Sequence, residues 1–138
     1  MKTEQTSPLS SPLSSPLCGR RVLVAVSGSI AAVKTPLLVS ALIKAGAEVR
    51  CLVTTSGTAL VSPVALASLS RHRCYLEADQ WNSASSRPLH IELAEWAELA
   101  IVAPLSASSL ARSSQGSADG LLASVLLAMK LLSSRLRR

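Results

Sequence analysis

Three stretches place small hydroxyl side chains where an apolar run stops. They are Ser27-Gly28-Ser29 after Val22–Val26, Thr54-Thr55-Ser56-Gly57 closing EVRCLVT, and Pro104-Leu105-Ser106-Ala107-Ser108-Ser109 after LAIVA. Hydroxyls and open backbone amides with no acid among them are chemistry for an anion. Where a strand turns directly into a helix, the first helical amides have no internal partner, and the positive end of the helix dipole points into the same space. The ligand this predicts is a phosphorylated molecule or cofactor. Ser27-Gly28-Ser29 meets neither G-x-G-x-x-G nor G-x-x-x-x-G-K-[ST], so alone it reads equally well as a tight turn whose glycine lets strand and helix pack. Of the two histidines, His72 lies between two arginines and is expected in solvent. His90 opens an amphipathic stretch and by itself reads as a helix-start histidine with a structural hydrogen bond, although an imidazole there could also orient a ligand or handle a proton.

The elements that must position these residues follow from periodicity. Val22–Val26 is the apolar, mostly β-branched run of a strand buried on both faces of a parallel sheet. From Ile30 the spacing turns helical, with Val33, Leu37, Leu38, Ala41, Leu42 and Ala45 along one face and Gly46 as the stop. Glu48 to Thr54 is a second strand; Ser62-Pro63 starts a short helix with serine as N-cap; Arg71 to Tyr75 is a short strand or connector. His90 to Ala97 is a two-turn helix with Ile91, Leu93, Ala94 and Ala97 inward, and Leu99 to Ala103 is another strand. A helix from Leu110 follows, and Gly116-Ser-Ala-Asp119 caps a last one through Leu132. Strands alternating with helices predict an α/β fold with a parallel, doubly wound sheet, which brings the loops at Ser27, Thr54 and Ser106 to one carboxyl edge.

Composition narrows the classes. The 138 residues suffice for one domain, and 49% hydrophobic with 16% charged residues is globular. Aromatics make up 2% and phenylalanine is absent, so stacking on nucleic-acid bases has almost nothing to use. Of the net charge of +6, Lys130, Arg135, Arg137 and Arg138 supply four, leaving a nearly neutral body and a basic tail. Neither nucleic acid nor membrane is an expected partner. Cys18, Cys51 and Cys74 have no C-x-x-C spacing, which argues against a zinc site or disulfide framework and places the chain in a reducing compartment, the cytoplasm. Residues 1–19 carry SPLS, SPLS and SPLC in succession, a proline-punctuated lead with a faint likeness to a transit peptide.

Taken together, VAVSGSIAAVK, LVT, PLHIELAEWAE, IVAPLSASSLA and GSADGLL resemble the flavin-containing cysteine decarboxylase family, its phosphopantothenoylcysteine branch above all. The likeness runs from about Arg20 to Ala128, giving a lead over 1–19, a domain over 20–128 and a tail over 129–138. It implies a three-layer, Rossmann-like or flavodoxin-like fold, bound FMN, and a homotrimer with each flavin near a subunit interface. It implies that Ser27, Gly28, Ser29 and Ile30 wrap the FMN phosphate or ring edge, that Thr54 and Ser56 add contacts, and that Ala103, Pro104, Leu105, Ser106, Ser108 and Ser109 hold the flavin from the third loop. His90 matches the histidine the family places beside flavin and substrate. The implied reaction is decarboxylation of 4'-phosphopantothenoylcysteine to 4'-phosphopantetheine in coenzyme A synthesis, with hydride transfer to the flavin opening a sink for the electrons left by carbon dioxide. Two alternatives keep the fold: a flavin-binding subunit without turnover, assembled with a complete relative, and a flavin prenyltransferase-like protein.

The chain departs from the family where Ser108 and Gly120 stand in place of asparagines. It is also expected to lack the last strand, with its Pro-x-Met-Asn motif, and the clamp cysteine. Glu92, Glu95 and Glu98 are expected on one helix face, as a surface stripe or trimer rim, and Trp96 fits either the core or a subunit contact.

Overall fold

The computed structural model describes residues 16–81, 86–102 and 120–136. Strands β1 (Arg21–Val26), β2 (Glu48–Val53), β3 (Tyr75–Leu76) and β4 (Leu99–Val102) form a parallel sheet in the order β3-β2-β1-β4. β1 is central, with Arg21 to Val26 opposite Glu48 to Val53 on one side and Val22 to Ala25 opposite Leu99 to Val102 on the other. The helices are α1 (Thr35–Lys44), α2 (Pro63–Ser70), α3 (Leu89–Trp96) and α4 (Leu121–Leu136).

The two-residue alternation of strand side chains divides the core in two. Val22, Val24, Val26, Val49, Cys51 and Val53 face one layer with Val39 and Leu42 of α1 and Leu66 of α2. Leu23, Ala25, Leu52 and Tyr75 face the other, with Leu89 and Leu93 of α3 and Leu121, Leu122 and Val125 of α4. This is the α/β, three-layer architecture expected, and each fully buried Leu or Val contributes about 1.5–3 kcal/mol of transfer free energy.

The segment after β1 corrects the expected helix face. Ile30–Lys34 is a 3-10 turn leading into α1, and the tighter winding rotates the apolar stripe, so Ala32, Thr35, Val39 and Leu42 are buried. Ile30 (75%), Val33 (51%) and Leu37 (72%) stand exposed instead. In α2, Ser62 accepts a hydrogen bond from the Ala65 amide at 3.3 Å, with Pro63 in the first turn, as expected. Ile91 of α3 is only half-buried, whereas Leu93, Ala94 and Ala97 do pack inward.

α4 continues through Leu136, four residues past its expected end. Gly120 precedes it, with a φ of +83° that suits glycine and a carbonyl that accepts from both the amide and the hydroxyl of Ser124. Among the described residues, no helix is long and apolar enough to cross a membrane.

Candidate functional site

The β1–β2 register sets Val26 beside Val53, so the next residues, Ser27 and Thr54, leave the carboxyl edge side by side. The Thr54 amide donates to the Val26 carbonyl at 2.9 Å, extending the ladder by one bond, and both hydroxyl residues are buried. Beyond them the chain turns sharply: the Ser29 amide bonds the Ser27 carbonyl at 3.0 Å, and Ser29 precedes the 3-10 turn with its side chain making no cap. Ser29 is half-buried, and Gly28 and Ile30 are exposed.

The two loops touch at Gly28. A Cβ at that position would lie 2.5 Å from Ser56 Oγ and 2.6 Å from Ser56 Cβ, so only glycine permits this approach. Thr54 Oγ1 lies 3.3 Å from Ser56 Oγ and accepts from the Gly57 amide at 3.3 Å. Gly57 is itself closed in, with the Val26 carbonyl oxygen 3.0 Å from where its Cβ would stand. Two glycines and three hydroxyl side chains, of Ser27, Thr54 and Ser56, are therefore gathered where the two loops meet, next to the start of the 3-10 turn, a composition that suits an anion.

This edge is not free of acid. β3 spans two residues with Leu76 opposite Val53, and the next residue, Glu77, falls beside the second loop. Its carboxylate accepts from the Thr55 amide at 2.9 Å and from Thr55 Oγ1 at 2.7 Å. Glu77 begins a 3-10 turn through Trp81, in which Asp79 accepts from the Leu76 amide at 2.9 Å and Gln80 donates to Ser124 Oγ of α4 at 3.2 Å. The turn thus bridges the second loop and α4. Sequence reading passed over Glu77 because its role depends on the shortness of β3.

His90 stands on the opposite layer. The Trp96 carbonyl at the end of α3 accepts from Arg21 Nε at 2.6 Å, and Arg21 begins β1. α3 therefore ends at the amino edge and starts, with His90, toward the carboxyl edge. There His90 lines a cavity of about 520 Å³ between α3 and α4 with Ile91, Ser124, Leu127, Ala128 and Leu131. Its Nδ1 is buried and has no hydrogen-bond partner among the described residues. A buried imidazole nitrogen without a partner costs about 1–3 kcal/mol, which a ligand atom can offset.

The family profile described as Flavoprotein matches residues 10–135. The chain belongs to the Flavoprotein family. This member is 41% identical over 112 residues to the coenzyme A biosynthesis bifunctional protein CoaBC of Bacillus subtilis, covering 81% of the chain and 27% of that protein. It is 41% identical over 115 residues to phosphopantothenoylcysteine decarboxylase of Mus musculus, covering 80% of the chain and 54% of the relative. Among solved structures it resembles HAL3 from Cryptococcus neoformans (TM-score 0.73, 31% identity, 80% of this chain and 65% of that one). It also resembles a phosphopantothenoylcysteine decarboxylase variant complexed with pantothenoylaminoethenethiol (TM-score 0.67, 36% identity, 80% and 60%). The chain spans between about a quarter and a half of the length of these curated relatives.

Of the flavoprotein residues singled out from sequence, Ser27, Gly28, Ser29, Ile30, Thr54 and Ser56 share one edge. β4 pairs as far as Val102, opposite Ala25, and Ala103, Pro104, Leu105, Ser106, Ser108 and Ser109 lie outside the described residues, as do the segments at Leu110 and 116–119. His72 is half-buried rather than solvated, and its amide donates to Ser70 Oγ at 3.4 Å.

Glu98 is not on the helix face with Glu92 and Glu95. It follows the end of α3, accepts from the Arg21 amide at 3.0 Å and pairs with Arg20 at 3.1 Å, and these bonds hold its carboxyl below the usual range. Glu95 pairs with Arg87. Trp96 packs on the α3–α4 core beneath the Arg50 guanidinium, 4.3 Å from the ring centroid. Burial pushes the Cys51 thiol up to about 12, helped by the neighbouring Cys74, and pushes Cys74 up to about 11, helped by Asp79. Both are inert thiols at neutral pH.

Proposed function

We propose that the chain binds FMN at the carboxyl edge and serves the decarboxylation of 4'-phosphopantothenoylcysteine to 4'-phosphopantetheine in coenzyme A synthesis. The observation that carries this is the contact of Gly28 on Ser56, which closes two hydroxyl loops into a cradle where a side chain would not fit. The residues present fit such a group: the Gly28 and Ile30 amides of the turn would meet a phosphate, and Thr54 and Ser56 would add hydroxyls. FMN held there would supply two-electron redox chemistry.

His90, whose Nδ1 is buried and has no partner among the described residues, holds the substrate or moves a proton at that atom. The apolar walls of its cavity exclude water from the reacting end of the chain. Relatives of similar structure support the reading: AtHal3 is an FMN binding protein, and SpaF is an FMN-dependent cysteine decarboxylase. The exposed ridge of Ile30, Val33 and Leu37 beside the cradle supports self-association, which we read as a homotrimer working in the cytoplasm.

The test is an absorption spectrum of the purified protein with and without added FMN, followed by a turnover assay on phosphopantothenoylcysteine. A flavin spectrum with release of carbon dioxide and the saturated thiol is expected. A colourless protein that FMN does not alter would overturn the flavin reading. Flavin binding without turnover would leave the flavin-binding subunit as the function.

A further inference from the structure

The cavity between α3 and α4 has a second end that the flavin reading does not use. Its walls are aliphatic, from Ile91, Leu127, Ala128, Leu131 and Leu132, and its ionisable lining groups are His90 and Arg135. Ser124 and Arg135 lie eleven positions apart on one helix, about 16 Å at the α-helical rise of ~1.5 Å per residue. His90 is near the Ser124 end, at the carboxyl edge. Arg135 is near the amino edge, where it lines a neighbouring space with Arg21, Glu95 and Glu98.

The two acids facing Arg135 there are engaged elsewhere, Glu95 by Arg87 and Glu98 by Arg20 and Arg21. Among the described residues, Arg135 makes no ion pair within 4.0 Å. The arrangement is therefore a hydrogen-bonding group at one end, an uncommitted guanidinium at the other, and an apolar trough between them.

We propose that this cavity binds an elongated anionic amphiphile, with Arg135 recognising a terminal phosphate and His90 meeting the opposite, reacting end. The proposal rests on the function proposed above, because it names how that function's substrate is selected. A trough of about 16 Å holds four or five amide-sized units in extended form. A volume of about 520 Å³ is that of a small-molecule site. Apolar walls favour an aliphatic body, and the planar guanidinium matches a phosphate through two parallel bonds where a neutral hydroxyl offers one. Arg135 is thus a specificity-determining residue for the phosphorylated over the unphosphorylated chain.

The test is calorimetric binding of 4'-phosphopantetheine, pantetheine and inorganic phosphate to the full chain, alongside the Arg135→Gln, Arg135→Lys and Leu131→Glu variants, each checked for an unchanged melting temperature. Wild type is expected to prefer the phosphorylated ligand by about tenfold, Arg135→Gln to lose that preference, and Arg135→Lys to keep part of it. Leu131 is 60% exposed, so glutamate is tolerated by the fold, and its charge is expected to weaken the phosphorylated ligand at least tenfold. Equal affinity of wild type for both ligands, binding of neither, an Arg135→Gln variant that keeps the preference, or displacement by an equal concentration of inorganic phosphate would each overturn the proposal. The spectrum keeps the two readings apart. A flavin-loaded protein without phosphate preference sinks this proposal alone, and a colourless protein that keeps the preference sinks the flavin reading alone.

Discussion

Replacing Gly28 by alanine tests the cradle at its narrowest point. The new Cβ would sit 2.5 Å from Ser56 Oγ, 2.6 Å from Ser56 Cβ and 3.3 Å from the Ser56 carbonyl carbon. Carbon atoms rest about 3.5–4.0 Å apart. Rotating Ser56 relieves the clash with Oγ but not the one with Cβ, which is fixed to the backbone, so the second loop must retreat by about 1 Å to regain that separation. Overpacking of this size costs about 1–3 kcal/mol, and if the retreat opens the cradle the cost appears in ligand affinity. At about 1.4 kcal/mol per tenfold, the FMN dissociation constant should rise between about 5- and 150-fold.

The companion change Ser56→Gly removes both offending atoms and leaves only the 3.3 Å contact. Alone it forfeits the Thr54–Ser56 hydroxyl contact and stiffness in the unfolded chain, about 0.4–1 kcal/mol. Flavin fluorescence titrations of wild type, both single variants and the double variant form a cycle. The double variant should bind FMN about as well as Ser56→Gly, with a favourable coupling between the two changes of about 1 kcal/mol or more. A double variant as weak as Gly28→Ala, or a Gly28→Ala protein that binds and melts like wild type, would refute the loop-contact argument.

Glu77→Gln keeps the shape of the bridge but weakens its bonds to the Thr55 amide and hydroxyl, so FMN affinity should fall about 3- to 10-fold, within what bonds to a charged group contribute; an unchanged titration would mean that the second loop does not need this support. Leu23→Ala empties a fully buried site on the α3–α4 side of the central strand and should cost about 2–5 kcal/mol in urea unfolding, far more than the same change at exposed Leu37. The raised thiols predict alkaline instability. The folded state keeps protons on Cys51 and Cys74 that the unfolded chain releases above pH 9.0, so stability should drop from there to about pH 11 for Cys74 and about pH 12 for Cys51, by at most about 1.4 kcal/mol per pH unit for Cys51 and less for the more exposed Cys74. Cys51→Ala should reduce that slope, and an equally steep slope in the variant would place the alkaline sensitivity elsewhere. Glu98 has the opposite sign: its carboxyl is held low, so its contribution is present above the ordinary carboxylate range and lost in acid, and Glu98→Gln should flatten the acid limb of a stability profile.

The parallel α/β sheet and the hydroxyl edge are legible because each rests on a local pattern, whereas the strand order β3-β2-β1-β4 is not. An apolar run ending in Ser27-Gly28-Ser29 can only be a strand leading into a turn, and a second such run brings Thr54 to the same edge once the strands are parallel. Helix faces were less legible. The exposed Ile30, Val33 and Leu37 and the buried Ala32, Thr35 and Val39 both have helical spacing, and only the 3-10 start decides which set faces the sheet. Propensity does not mark where a chain winds three residues per turn before it winds 3.6.

The role of Glu77 was out of reach for a different reason. Its position follows from β3 stopping after two residues, and strand length in so short a segment is set by what the next residues can bond, here Asp79 to the Leu76 amide and Gln80 to Ser124. The Glu77 bonds to Thr55 and the Gln80 bond to Ser124 tie the second loop and α4 to one turn. The residues at the carboxyl edge and the wall of the His90 cavity are therefore held by a common support, although they lie on opposite layers of the sheet. A site read only as loops after strands omits the piece that sets their spacing, and in this chain that piece is acidic, short and without any periodic signal.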